Sequence, residues 1–236
     1  MKNLILSTIL STVLLASCSQ DNSKNIMVIK GEVKGLKKGT LFLQKIENGT
    51  LSTVDSIYLE GTGLYSLKSK INASELHFLS LNKNNEKTIP FFGEPGEITI
   101  NTNLDRFVFH AKISGSKNQE ILDQYNEISS QFQYQNLEML KENFEAQKEK
   151  NQEKIDKLVT KSKNLLRRKY LYTTNFALNN SDSEVAPYIA LTQLSDANIK
   201  LLDTINNSLT EKIKNSSYGK ELNSFIEKIK ADEVKE

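Results

Sequence analysis

From Ile26 to about Ser114, apolar and polar residues alternate with a period of two, which predicts strands. Met27-Val28-Ile29 opens a strand that runs through Gly31-Glu32-Val33, and Thr40–Ile46, Leu51–Leu59, Leu64–Leu67, Leu76–Leu81, Thr88–Phe92, Ile98–Ile100 and Phe107–Ile113 continue the series. Turn chemistry separates them: Gly35 to Gly39, the two-residue hairpin signal Asn48-Gly49, Gly61-Thr62-Gly63, the polar run Asn82 to Asn85, and Glu94-Pro95-Gly96-Glu97, whose Pro-Gly centre favours a type II turn. Pro90 lacks a ladder donor and places its strand at an edge. Seven or eight short strands with turns at this spacing predict an antiparallel β-sandwich or open barrel.

The period changes at Ser114-Gly115-Ser116. Ser116 is the expected N-cap of a helix starting near Lys117, with Glu120 near its positive end. Ile121, Leu122, Tyr125, Ile128 and Phe132 recur at helical spacing, and Leu137, Leu140 and Phe144 carry the stripe on more sparsely. A second stripe follows in Ile155, Leu158, Val159, Ser162, Leu165, Leu166 and Tyr170. Neither Gly nor Pro interrupts Gly115 to Pro187, so the pattern fits two long antiparallel helices joined near Asn151, or one rod whose apolar stripe a partner must cover. After the polar break Asn179 to Ser183, Ser183 is the expected cap of a helix over Val185–Leu194 with Pro187 in its first turn. Leu201, Leu202, Ile205, Leu209 and Ile213 predict another helix, and Tyr218, Leu222, Phe225, Ile226 and Ile229 a last one. The expected fold class is α+β, with a β-sandwich over 26–114 and a helical domain over 115–236.

The first residues follow neither pattern. Lys2, the apolar run Leu4 to Ala16 and the small-residue exit Leu15-Ala16-Ser17-Cys18 describe a secretory leader over residues 1–17. The run is shorter than the roughly 20 residues a membrane span needs. The stretch resembles the lipobox of a bacterial lipoprotein, and that resemblance implies a lipid on Cys18. Residues 18–25 then read as a polar tether.

Composition narrows the chemistry. Lys plus Arg total 31 against 29 acidic residues, a balance that argues against a nucleic-acid binder. Cys18 is the only cysteine, so the body offers no disulfide, thiolate metal site or dithiol. The two histidines, His77 and His110, both fall in expected strands without ligand-spaced partners, and no cofactor or metal is expected. His77 meets Ser66 or Ser80 only if tertiary structure brings them together, and no nucleophile elbow is present. Phosphate-binding, dinucleotide and zinc-protease motifs are absent. Glu142 with Glu145 reads as a solvated helix face, and Arg167-Arg168-Lys169 as a polar face or a contact for anionic headgroups. Tyr58, Tyr65, Phe78, Phe91, Phe92, Phe107 and Phe109 gather in the β half as core, or as a platform for glycan or peptide.

Several stretches together resemble a known domain. They are Ile29-Lys30-Gly31-Glu32-Val33, Gly39-Thr40-Leu41-Phe42-Leu43, Val54-Asp55-Ser56, Phe91 to Ile98 and Ile113-Ser114-Gly115-Ser116. They look like the domain of unknown function (DUF4369 type) that precedes the thioredoxin domain in Bacteroidota lipoproteins similar to TlpA and ResA. Ser183 to Tyr188 and Asn215 to Leu222 resemble the segment leading into that thioredoxin domain. The sequence ends at Glu236 without a Cys-x-x-Cys, so the family's redox activity maps onto no residue here. Asp55-Ser56-Ile57 and Asp203-Thr204-Ile205 resemble an O-glycosylation acceptor of such bacteria, which makes Ser56 and Thr204 candidate sites.

The expected function is that of a non-enzymatic, lipid-anchored lipoprotein of the cell envelope, placed by that resemblance at the outer membrane and facing the periplasm or the surface, that serves as a binding or assembly module. The alternatives are an accessory half of a thiol-disulfide oxidoreductase system that docks a separate thioredoxin-like protein, and a glycan- or peptide-binding lipoprotein. The expected partners are the membrane, through Cys18, and an envelope protein.

Overall fold

The alternation forms eight strands in two four-stranded sheets in the computed structural model, which describes residues 25–82 and 87–233. The leader, Cys18 and most of the tether lie outside the described residues. The strands are β1 (Ile26–Lys34), β2 (Lys38–Glu47), β3 (Thr50–Glu60), β4 (Leu64–Lys70), β5 (Glu75–Leu81), β6 (Thr88–Gly93), β7 (Gly96–Asn103) and β8 (Lys112–Ser114). One sheet runs β4-β1-β7-β8 and the other β3-β2-β5-β6. Their facing residues, among them Met27, Ile29, Leu41, Leu43, Leu67, Leu79, Phe91, Ile98 and Ile100, are buried in one core. Asn48 and Gly49 both take positive φ in the two-residue loop between β2 and β3, as the hairpin signal requires. Pro90 lies on β6, an edge strand.

Two strand expectations need correction. The sandwich is not wholly antiparallel, because β1 and β7 pair in parallel. The turn after β6 carries the chain from one sheet to the other, so β7 enters beside the start of β1. Phe107 to Ala111 is not strand, and His110 therefore does not sit in one. The segment coils back on itself: the His110 N–H donates to the Arg106 carbonyl at 2.9 Å, and the Thr102 hydroxyl donates to the Phe107 carbonyl at 2.6 Å. Phe107 fills the core while Phe109 is 89% exposed.

The helices are α1 (Lys117–Lys148), α2 (Gln152–Asn179), α3 (Val185–Gln193), α4 (Ile199–Ser208), α5 (Glu211–Lys214) and α6 (Ser217–Glu233). The Ser116 side chain caps α1 by accepting from the Gln119 N–H. Gly115 leads into the cap at φ +93°, where an added Cβ would stand 2.3 Å from the Glu97 carbonyl oxygen. Asn151 caps α2, so the long stripe is a hairpin and not a rod. Glu184 rather than Ser183 is the N-cap of α3; the Ser183 hydroxyl instead accepts from the Val185 N–H and donates to Asn118. The single helix expected over Leu201–Ile213 breaks at Leu209 and Thr210 into α4 and α5.

A second core of Leu122, Tyr125, Ala177, Ile189, Leu202, Ile205, Leu222 and Ile226 unites the helices, and Phe92 of β6 belongs to it. The Phe92 N–H at the sheet edge donates to the Gln119 side chain of α1 at 2.8 Å, and the Leu76 N–H donates to the Tyr218 hydroxyl at 3.1 Å. The donor that edge strand β6 would leave open at Phe92, and the one at the end of β5 beyond its pairing with β2, are thereby taken up by helix side chains. Burial pushes the Tyr218 phenol up to about 12, against the pull of the Leu76 bond.

Candidate functional site

At about 1.5 Å per residue, the 32 residues of α1 make a rod roughly 48 Å long. Its first half is held firmly. Tyr125 stacks on Tyr172 at 5.5 Å, meets Phe176 edge-on at 5.3 Å, and shares a hydrogen bond with the Thr173 hydroxyl at 2.9 Å. Beyond Phe132 the buried positions of the hairpin shrink to Ala146, Leu158 and Leu165. This distal part is an arm of two helices, and its apolar stripe is wider than the helix-to-helix seam.

The surplus lies on one side. Leu137, Leu140 and Phe144 of α1 are 63%, 56% and 60% exposed. Spacings of three and four residues put them on one face. Val159 and Leu166 of α2, seven residues apart, make the matching row. Between the rows run two grooves that share Asn136 and Ser162. One, of about 310 Å³, is lined by Met139, Leu140, Leu158 and Val159, and the next, of about 260 Å³, by Phe132, Leu165 and Leu166. The Asn143 side-chain oxygen beside the first groove is buried with no hydrogen-bond partner among the described residues. The other side of the arm is charged, with Glu138, Glu142, Lys161 and Arg168 around a hollow of about 400 Å³.

The residues singled out for chemistry do not converge. His77 is fully buried on β5, its Nδ1 3.0 Å from the Glu75 carbonyl oxygen and its ring 5.9 Å from that of Phe91. The Ser80 hydroxyl donates to Gln44 at 2.6 Å, and Ser66 points outward on β4 in the opposite sheet. His110 is exposed and meets the Asn103 side chain. Among the described residues, no group of three or more His, Cys, Asp or Glu is placed to hold a metal. Arg167, Arg168 and Lys169 are divided around α2: Lys169 borders the apolar groove, and Arg168 lies on the charged side. Of the β-half aromatics, Tyr65, Phe91, Phe92 and Phe107 are core, Phe78 is half-buried, and Tyr58 and Phe109 are exposed. Ser56 is exposed on β3; Thr204 is exposed on α4, its hydroxyl donating to the Lys200 carbonyl. Cys18 lies outside the described residues.

Burial holds the His77 imidazole below its ordinary value of 6.5. The Glu75 carbonyl and charge oppose the shift, and Lys45 adds to it. The unfolded chain therefore takes up a proton at this residue before the folded chain does. The stability that goes with neutral His77 is intact above its unfolded value and is lost as the pH falls through the folded one. Urea unfolding should show wild type weakening from about pH 6.5 downward, at no more than about 1.4 kcal/mol per pH unit for one proton. His77→Gln, which removes the titrating group, should flatten that part of the profile; an unchanged slope would contradict this assignment.

The sequence indicated the apolar stripe of the arm but not its exposure. Leu137, Leu140 and Phe144 have the spacing of core residues, and only the hairpin's geometry shows that α2 covers too little of them. Glu184 also escaped notice. It is a buried carboxylate whose Oε2 has no partner among the described residues, and burial raises its pKa.

Neither the curated proteins nor the solved structures compared with the chain contain a match. Residues 27–122 match the family described as Domain of unknown function (DUF4369), which takes in the sandwich and the opening turns of α1. The β half of this chain, with the start of α1, is therefore a domain of the DUF4369 family.

Proposed function

We propose that this protein is a non-enzymatic, lipid-anchored component of the cell envelope that works as an assembly module, with the α1–α2 arm as its docking element. The observation that supports this reading is the uncovered apolar face of Leu137, Leu140, Phe144, Val159 and Leu166. A contiguous apolar surface of this kind, rimmed by charge, marks a protein contact more often than a solvated face. Among the described residues no helix is long and apolar enough to cross a membrane, so the proposed attachment is Cys18 and its tether. Outer-membrane placement, and a thioredoxin-like partner in particular, rest on the family resemblance alone.

The test is the size of the native particle. Detergent-solubilised envelopes are run on a gradient, with wild type beside a chain carrying Leu137→Gln, Leu140→Gln, Phe144→Gln and Val159→Gln. All four positions are exposed, so the substituted arm should fold as before, which circular dichroism checks. Wild type is expected to run as a larger particle than the variant. Equal sizes would sink the assembly reading.

A further inference from the structure

A polar cleft lies on the sandwich, away from the arm. The outer face of sheet β4-β1-β7-β8 carries Glu32 and Lys34 from β1, Asn101 and Asn103 from β7, and Lys112 from β8. They alternate along their strands with Val33, Thr102 and Ile113, which turn to the core side. Beside that face stands the coil that joins β7 to β8, and the cleft between them has a volume of about 570 Å³. Small-molecule sites span roughly 300–1,000 Å³. The coil is pinned at its start, where the Leu104 N–H donates to the Lys34 carbonyl at 3.0 Å, and in its middle, where Phe107 enters the core. Two residues further on, Phe109 lines the cleft with its ring 89% exposed.

The polar groups near that ring already have partners that set their orientation. Asn101 Oδ1 accepts from the Glu32 N–H at 2.9 Å, where the β1–β7 ladder skips a step, and its amide nitrogen is left to donate elsewhere. The Asn103 amide nitrogen meets His110 Nδ1 at 3.0 Å. Asn103 is the donor in that bond to the neutral ring, so His110 carries its own proton on Nε2. One flat aromatic ring, two amides, an imidazole, a carboxylate and two ammonium groups thus share one cleft. We infer that it is a saccharide-binding site, in which a pyranose ring lies against Phe109 while Asn101, Asn103, His110 and Glu32 read its hydroxyls. A pyranose has an apolar C–H face and a rim of hydroxyls that each donate and accept, and this mixture of groups answers both. The floor strands β1 and β7 are interior to their sheet, so the cleft offers a peptide no open strand edge to extend. Glu32 stands on the same strand as Lys34, which spoils the floor as a cationic cradle for phosphate. The inference goes beyond the assembly reading and uses no residue of the arm.

The test titrates the purified full-length chain, in a detergent without a sugar headgroup, with cellohexaose, chitohexaose and hexagalacturonate by calorimetry. Adenosine monophosphate is the rival probe, since an aromatic ring beside lysines also suits a nucleotide. At least one hexasaccharide should bind. Phe109→Ala should weaken that binding about tenfold or more, and Asn103→Ala, which also releases His110, several-fold. Tyr58→Ala, at an exposed aromatic on the other sheet, should bind as wild type does. Circular dichroism on each variant shows that a lost site is not a lost fold. Silence from all three hexasaccharides at millimolar concentration would overturn the inference, as would binding that survives both Phe109→Ala and Asn103→Ala. Adenosine monophosphate bound more tightly than every hexasaccharide would overturn it in favour of a nucleotide.

Discussion

Phe92→Ala should lower the stability of the folded chain by about 3–5 kcal/mol, the usual cost of emptying a large aromatic site in a core. Phe92 is the point where sandwich and helices share a side chain. Its ring leaves the last turn-ward residues of edge strand β6 and enters the helical core, where it is fully buried. It meets Tyr188 edge-on at 5.4 Å and Tyr218 at 6.1 Å, and those two rings lie 5.4 Å apart. Aromatic pairs of this geometry contribute about 0.5–1.5 kcal/mol beyond their buried area. Alanine leaves a void walled by two tyrosines that are themselves fixed, Tyr218 by the Leu76 N–H, so the site collapses poorly. For a chain of this size each kcal/mol moves Tm by about 2–4 °C, and a drop on the order of 6–20 °C should be seen by scanning calorimetry. Phe109→Ala provides the contrast. That ring is 89% exposed, and its loss should stay within about 0.5 kcal/mol of wild type. If the two variants melt together, the seam does not work as described.

Removing the Cys18 thiol should change where the protein is found. Each buried methylene of an acyl chain contributes about 0.8 kcal/mol, and a single chain anchors only marginally, so stable attachment takes more than one. The lipobox resemblance implies a multiply acylated cysteine, and no described helix is able to replace it. Cys18→Ser should therefore abolish lipid incorporation. An uncleaved leader could itself hold the precursor on the membrane, so a second chain is needed in which residues 1–18 are exchanged for a leader with an ordinary cleavage site. That chain should move from the washed membrane fraction to the soluble one. If it stays on membranes free of other protein, the apolar face of the arm is meeting lipid, and both the anchor and the assembly reading are wrong.

Much of the fold was legible because single residues act locally. Asn48-Gly49 specifies its turn by tolerating positive φ, Pro90 marks an edge by lacking an N–H, and Ser116 and Asn151 begin helices by accepting from N–H groups three residues on. Features that depend on distant residues were not legible. Phe107-Val108-Phe109 has the alternation of a strand, but the Thr102 hydroxyl claims the Phe107 carbonyl and turns the chain away. The parallel pairing of β1 with β7 follows from which sheet the chain joins after Glu94-Pro95, a choice that no local pattern encodes. Leu209 looked continuous with α4 by its spacing, yet the next residue, Thr210, donates its N–H to the Ser181 carbonyl, outside any helix. For the candidate site the limit is the same. A stripe such as Leu137, Leu140 and Phe144 reports that something apolar must cover it, and only the tertiary arrangement shows that the described residues do not.

The central claim is that protein covers the arm's apolar face in the envelope. Its most direct test is the rate at which a maleimide labels Val159→Cys in intact envelopes, compared with the same chain purified and diluted, with Leu171→Cys as a freely exposed reference. The account predicts that Val159→Cys is labelled many-fold more slowly in the envelope while Leu171→Cys reacts at the same rate in both. Equal rates at Val159→Cys in the two settings would mean that the face stands open to water, and the assembly reading would fall.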